Sequence, residues 1–260
     1  MIIQPFNQKK KMNKKIAIIF TALILSLTIH AKDYKASLFG IKSDGVTLNT
    51  ASIQYAIDHI SANGGGQLNF YVGRYLTGSF QLKPNVTIQL HEGAILVAFQ
   101  SAYDYLSLNG TPALILADSV ENIGITGKGV IEGHGQGVLK SISTQVEKGF
   151  LKESDLQTRP ALIHFNGCNN VKLEGIILRD ACGDAQVYTD CKDVTVNNIT
   201  VESKALPGSK GMVISGCDGV TLGDSYFDTS GSELVSDKPS KRVTVRQSIN
   251  AAGKKLQFRK

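Results

Sequence analysis

The sequence predicts an all-β fold in which the chain coils as a parallel β-helix, a solenoid whose first coil is covered by one N-terminal α-helix. Three observations predict this fold: a repeat of 23 to 26 residues, apolar alternation after each turn, and a single helical pattern ahead of the repeats. The turns are too short to hold the crossover helices of a doubly wound α/β sheet. Successive copies of the repeat must therefore stack as rungs.

The repeat is clearest in four segments of the C-terminal half. Each segment starts with a polar or glycine-containing turn and continues with alternating apolar residues, as in a strand with one buried face. The marker residues Val171, Val194, Val220 and Val243 are separated by 23, 26 and 23 residues. A period in the twenties predicts that each copy is one turn of a solenoid.

Three copies of the repeat also carry a cysteine at the same place, namely Cys168, Cys191 and Cys217. In a solenoid these side chains stack on neighbouring rungs about 4.8 Å apart. We expect a small, buried apolar ladder, and a disulfide is the alternative. No C-x-x-C pair is present, so we predict neither a metal site nor a cofactor.

One helix is predicted ahead of the repeats. Apolar residues follow the i, i+3, i+4, i+7 spacing from Ile53 to Ile60. Asn49 or Thr50 can cap its start, and the glycines at 64–66 end it. A single amphipathic helix in this place suits a lid over the first coil, where it would cover an unpaired strand edge.

The first 31 residues are typical of a secretory signal. They contain five lysines and no acid, and an apolar run from Ile16 to Ile29 precedes Ala31. A membrane anchor and a buried strand are the alternatives. The net charge of +6 falls to about +1 without these lysines, which disfavours nucleic acid and anionic membrane as partners. We therefore predict a secreted or periplasmic protein with one β-helix domain over residues 32–260.

Several segments resemble glycoside hydrolase family 28, the polygalacturonase-like family. They are Phe39–Gly45, Gly73–Ser79, Leu82–Thr87 and Gly127–Gly133, within a likeness that runs from about residue 33 to about residue 250. The resemblance implies a right-handed β-helix of the pectin-lyase type and a pectin or related uronate polysaccharide as partner. Members of this family hydrolyse galacturonan with inversion, which requires an acid and a base carboxyl roughly 6.5–9.5 Å apart.

The catalytic motifs of the family are not matched. Lys210 follows Pro207 where the resemblance implies an aspartate, and Gly231 and Ser232 stand where it implies two more. Lys254 takes the place of the motif histidine. These four replacements predict weak or absent hydrolase activity. The coils that would follow in the family are also not represented, which would leave the last coil open for self-association.

Other residues are candidates for the groove. The repeat register predicts Asp184, Lys210 and Glu233 in one column on adjacent rungs. This column would be either a charge ladder or a rebuilt catalytic site in which Asp184 and Glu233 form the carboxyl pair. Tyr188 and Lys255 are candidate substrate-binding residues.

Three functions therefore stay open on the sequence: a weak or inactive hydrolase, a non-catalytic carbohydrate-binding β-helix, and a polysaccharide lyase-like enzyme that uses Lys210 or Lys254 as its base. The Gly133–Gly135 segment contains His134 but lies far upstream of the expected catalytic coils. We interpret His134 as a turn or surface residue.

Overall fold

The computed structural model describes residues 32–258, in which the chain winds repeatedly through three sheets, here called A, B and C. Each coil adds one strand to each sheet in that order, and the strands within a sheet pair in parallel. The predicted secretory signal lies outside the described residues. Among residues 32–258, no helix has the length and apolar character needed to cross a membrane.

The bounds of the strands are as follows. Sheet A comprises β1 (Asp33–Lys35), β2 (Gly66–Phe70), β5 (Val86–Leu90), β9 (Glu121–Gly127), β12 (Asn169–Glu174), β15 (Lys192–Asn197), β18 (Asp218–Gly223) and β21 (Lys241–Arg246). Sheet B comprises β3 (Gly73–Thr77), β6 (Ala94–Ala98), β10 (Val130–Glu132), β13 (Ile177–Arg179), β16 (Thr200–Ser203), β19 (Tyr226–Thr229) and β22 (Ile249–Asn250). Sheet C comprises β4 (Phe80–Gln81), β8 (Thr111–Asp118), β11 (Ala161–Asn166), β14 (Gln186–Thr189), β17 (Met212–Ser215) and β20 (Leu234–Ser236), and β7 (Leu106–Leu108) pairs with β8 as an antiparallel hairpin.

The strands of sheet A follow the repeat read from the sequence. Val171, Val194, Val220 and Val243 lie opposite one another on successive rungs. The three cysteines that precede the first three of these valines are buried and carry free thiols. The prediction of a small apolar ladder is therefore confirmed, and the disulfide alternative is wrong.

The turns that lead into sheet A hold residues with left-handed backbone. Asn122 and Asn170 have φ of 55° and 53° at equivalent places on two rungs. Asparagine tolerates this region better than most residues. The amide of Asn170 donates to Oδ1 of Asn122 and the amide of Asn122 donates to Oδ1 of Asn85, both at 2.8 Å. This ladder gives the polar turn of the repeat a physical role.

Helix α1 (Thr50–Ala62) lies against the first coil as predicted, with Ile53, Ile57 and Ile60 fully buried. Asn49 precedes the helix but does not cap it with its side chain. Its carboxamide instead binds the backbone N–H and C=O of Lys42, at 2.8 and 2.9 Å. The lid is therefore tied to the segment that precedes it.

A second helix, α2 (Gly135–Glu147), was not predicted. It fills part of the long connection between β10 and β11, and Val138 and Ile142 on its inner face pack against Cys182 and Leu206. Short 3-10 helices are also present at Ala36–Phe39 and Glu153–Leu156. The i, i+4 spacing of Val138 and Ile142 was the available signal for α2. The helix rests on the B-to-C connections of later coils.

Candidate functional site

The candidate site lies where the B-to-C connections enter sheet C. Gln186, Met212 and Leu234 lie opposite one another on β14, β17 and β20. The residues two places earlier in each coil, Asp184, Lys210 and Ser232, therefore share one column at the mouths of these strands. Backbone hydrogen bonds from Ala185 to Lys210 and from Gly211 to Ser232 hold this register.

Asp184 and Lys210 contact each other directly. The backbone N–H of Lys210 donates to Oδ1 of Asp184 at 3.0 Å, and the ammonium nitrogen lies 3.8 Å from Oδ2. The two side chains are 25% and 37% exposed, so the pair borders solvent. Since the ion pair is long and partly exposed, it contributes little to stability.

The placement predicted for Glu233 is wrong. The sheet A offset between the last two rungs is 23 residues, from Val220 to Val243. In sheet C the corresponding offset is 22, from Met212 to Leu234, because the turn from sheet C into sheet A is one residue longer on the last rung than on the rung before. Ser232 is therefore level with Lys210, and Glu233 lies one residue further along.

Glu233 also has a different partner. Its Oε1 accepts a hydrogen bond of 2.8 Å from the amide of Asn250. Within residues 32–258, no lysine, arginine or histidine forms an ion pair with Glu233, whereas Lys210 pairs with Asp184. Asp184 and Glu233 therefore do not share a column, and the shared column was the basis for predicting them as a rebuilt carboxyl pair.

The environment of Asp184 raises the pKa of its carboxyl. Burial is the largest cause, and the negative charge of Asp237 adds to it. The backbone N–H of Lys210 and the positive charges of Lys210 and Arg159 act in the opposite direction. Arg159 itself is anchored by a hydrogen bond of 2.9 Å from Nη2 to the carbonyl of Pro207. Asp184 therefore stays protonated to a higher pH than an ordinary aspartate.

Arg159 was not among the predicted site residues. It stands two residues before β11, and the register of sheet C makes it level with Cys182 and Gly208 on the next two rungs. It therefore lies two residues ahead of the position that Asp184 and Lys210 occupy in their coils.

The role predicted for Tyr188 is wrong. Its side chain is fully buried inside the coil, where the ring packs edge-on against Phe165. The hydroxyl donates to Oε1 of Gln186 at 2.9 Å. Burial raises the pKa of this hydroxyl well above its ordinary value. Because Tyr188 lies on the inward side of β14, it cannot contact a polysaccharide on the outer face.

Four of the remaining predicted residues meet in one cleft, whereas Gly231 lies against the backbone of Gly208 and Ser209. Ser232, Glu233, Lys254 and Lys255 line a cavity of about 460 Å³ beside β20. Asn250 and the apolar residues Leu234, Leu256 and Phe258 complete part of its wall. This cleft adjoins the rung that follows Lys210. Within residues 32–258, no group of three or more His, Cys, Asp or Glu side chains is arranged to hold a metal ion.

The outer face of sheet C also carries an apolar row that the sequence analysis missed. His164, Val187, Val213 and Val235 lie opposite one another on four rungs. His164 is 2% exposed, and burial lowers its pKa. Its Nδ1 has no hydrogen-bond partner among the described residues. Val213 is also only 2% exposed, so Val187 and Val235 are the members of this row that reach the surface.

A charge ladder exists, but it lies on sheet B. Glu132, Arg179, Glu202 and Asp228 occupy one row on successive rungs. Nε of Arg179 is 3.6 Å from Glu202, and Nζ of Lys204 is 2.7 Å from Asp228. Arg179, Glu202 and Lys204 are exposed, whereas the side chains of Glu132 and Asp228 are only 17% and 19% exposed. Ion pairs that border solvent in this way contribute little to stability.

His134 lies at the upper end of this row on sheet B. Its Nε2 is 3.4 Å from the carboxylate of Glu132, and its Nδ1 is 3.0 Å from the amide of Gln100. It precedes α2 with a left-handed backbone, φ 47°. The interpretation of His134 as a turn residue agrees with these contacts.

Comparison with known proteins places these observations in a family. The family model described as "Glycosyl hydrolases family 28" matches residues 70–248. The exo-poly-alpha-D-galacturonosidase of Dickeya chrysanthemi is 24% identical over 244 residues, which cover 75% of this chain and 40% of that protein.

Solved structures agree with the fold. A crystal structure of a Parabacteroides merdae protein assigned as a glycosyl hydrolase is 49% identical with a TM-score of 0.82, covering 86% of this chain and all of that one. The family 28 exopolygalacturonase of Yersinia enterocolitica has a TM-score of 0.77 at 23% identity, covering 85% of this chain and 49% of that one. The right-handed parallel β-helix is thus confirmed, although the chain spans about half the length or less of the Dickeya and Yersinia relatives.

Proposed function

Because this chain belongs to glycosyl hydrolase family 28, we propose that it binds a pectin-type polysaccharide on the outer face of sheet C and hydrolyses it weakly or not at all. The observation that carries this proposal is the contact between Lys210 and Asp184. Where the family resemblance implies a free acid, the chain has an ammonium group 3.8 Å from a carboxylate.

The chemistry of inversion supports weak or absent turnover. It requires one carboxylic acid to protonate the leaving oxygen and one carboxylate to activate water. Gly231 and Ser232 supply no carboxyl group, and Lys210 supplies an ammonium group in place of a carboxyl group. Of the predicted groove residues, only Asp184 and Glu233 are acids, and they do not share a column.

The lyase-like alternative is less well supported. A lysine that abstracts a proton must first be neutral, whereas Lys210 lies 3.8 Å from the carboxyl group of Asp184 as an ion pair. Lys254 lies in the cleft without a recorded ion pair to any described residue, yet no observation favours it as a base. A lyase reaction is therefore one of the outcomes that the following measurements distinguish.

Two measurements on the purified protein test the proposal. The first is calorimetric titration with oligogalacturonates, with neutral oligogalactose as control. The second is reducing-sugar release from polygalacturonic acid, with the Yersinia exopolygalacturonase as positive control. We expect binding of the acidic oligomer with turnover far below that control.

Each contrary result has a distinct meaning. Turnover at the rate of the positive control would refute the loss of hydrolysis. Absence of binding to acidic oligomers would refute the substrate class. A product that absorbs in the ultraviolet, measured with and without calcium, would establish the lyase reaction instead.

Export is part of the same proposal, since polymeric pectin is met outside the cytoplasm. We expect expression in a Gram-negative host to yield a periplasmic or secreted form cleaved after or near Ala31. The intact mass of the purified protein measures this cleavage. A cytoplasmic product that retains residues 1–31 would contradict it.

A further inference from the structure

Lys210 has binding capacity that its contact with Asp184 does not use. The separation of 3.8 Å is longer than a hydrogen bond to a charged donor, which is about 2.7–2.9 Å. An ammonium has three donors, and the side chain of Lys210 as a whole is 37% exposed. Oδ1 of Asp184 is meanwhile held by the backbone N–H of Lys210 rather than by the ammonium. The side chain of Lys210 is therefore free to turn towards a second anion.

We propose that Lys210 recognises a carboxylate of a bound uronate chain, and that Asp184 is the counter-ion that holds the ammonium in the ligand-free protein. This inference rests on the proposed function and adds the residue that selects an acidic over a neutral sugar. It also gives a use to a cation that stands where the family resemblance implies an acid.

Arg159 supplies a second cation beside the column. One of its terminal nitrogens is fixed by the carbonyl of Pro207, at 2.9 Å, and a guanidinium has four further N–H donors. Gly208 lies next to this nitrogen, and a side chain built there would begin 3.7 Å from it. A planar donor group of this kind suits a carboxylate better than a sugar hydroxyl.

Further cationic side chains lie beyond Lys210 in the direction in which the rungs stack. Ser232 is level with Lys210 and lines the cleft that contains Lys254 and Lys255. The acids that face the same region are Asp184, Glu233 and Asp237, so the surface alternates in sign rather than forming a broad basic face. Such alternation favours a ligand with spaced carboxylates and hydroxyls over a densely charged polyanion.

Substitutions at the pair test the inference by calorimetric titration with oligogalacturonate and with its fully methyl-esterified form. We expect Lys210→Met to weaken binding of the acidic oligomer about tenfold, the size of one lost charge-assisted contact. Asp184→Asn should tighten it several-fold, because the asparagine keeps an acceptor for the Lys210 N–H and removes the competing charge. Binding of the methyl ester should change little in both variants.

Lys192→Met is the matched control, because Lys192 is an exposed lysine that follows the coil of Asp184 onto sheet A. It should leave both affinities unchanged. If the wild type binds the acidic oligomer but Lys210→Met binds it equally well, the inference is wrong while the proposed function stands. If the wild type binds neither oligomer, both are wrong. Should Lys210→Met fail to fold, a lack of any gain in Asp184→Asn would refute the inference alone.

Discussion

Sheets A and C are built from the same coils, yet they differ in how they are connected. Short turns lead from sheet C into sheet A, and these hold the cysteine ladder and the asparagine ladder in regular register. Long and unequal connections lead from sheet B into sheet C, and one of them contains α2. The regular side stabilises the stack, whereas the irregular side positions charged groups at the mouths of the sheet C strands.

The turns into sheet A and the connections into sheet C tolerate changes in sequence and length to different degrees. A turn into sheet A is packed between two neighbours that repeat it, so a change disrupts a column. A connection into sheet C lies on the surface and can change length without breaking the parallel pairing that follows it. Lys210 and Arg159 both come from such connections, so the positive charges beside Asp184 lie on the irregular side.

The largest expected effect is in the interior of the regular side. Val194→Asp places an unpaired carboxylate in the core of sheet A, where Val194 is 1% exposed. A buried, unpaired charge costs several kcal/mol or more, so we expect loss of the folded state. Thermal unfolding followed by circular dichroism measures this. Thr195→Asp, one residue away on the exposed side of the same strand, should leave the melting temperature nearly unchanged. If it lowered the melting temperature as much as Val194→Asp, then Val194 would not be the residue of this strand that points into the core.

A smaller effect is expected inside the irregular side. Tyr188→Phe removes the hydrogen bond to the buried carboxamide of Gln186, whose Nε2 already has no partner among the described residues. The loss should lower the free energy of unfolding by about 1–2 kcal/mol, as measured in urea, with no change in affinity for oligogalacturonate. Tyr103→Phe is the control, because its hydroxyl is bonded at an exposed site. Loss of affinity in Tyr188→Phe would restore this residue as a ligand contact.

The smallest effect is a pH dependence at the mouth of β14. The pKa of Asp184 is raised in the folded protein, so the folded state binds more protons than the unfolded state above the ordinary aspartate pKa of 3.8. This group therefore contributes stability at low pH that is lost as the pH rises through its folded pKa. Asp184→Asn should remove that contribution. Melting temperatures across the acidic range would show a flatter profile for the variant; identical profiles would contradict the raised pKa.

Prediction from the sequence succeeded where the structure repeats. The marker valines defined the sheet A register because three of their rungs enter the sheet through turns of equal length and the fourth turn is only one residue longer. Helix α1 was predictable because its apolar spacing stands apart from the alternating strands. Helix α2 was missed because only Val138 and Ile142 mark its buried face within a mostly polar segment.

The site was harder to predict for two reasons. Glu233 was misplaced because an offset taken from sheet A does not apply to sheet C, and an error of one residue moves a side chain to a different row. Tyr188 was misassigned because its side of the strand depends on where β14 begins. Arg159 was not found because Cys182 and Gly208 occupy its position on the next two rungs, so no row of charged residues marks it.

The sequence by itself determined the winding of this chain, since hydrophobic alternation and a near-constant period are local properties that every rung restates. Only the tertiary structure decided which charges meet. The register across sheet C depends on the length and packing of each surface connection. That register decides whether two charged side chains lie close enough to form an ion pair or lie too far apart to interact.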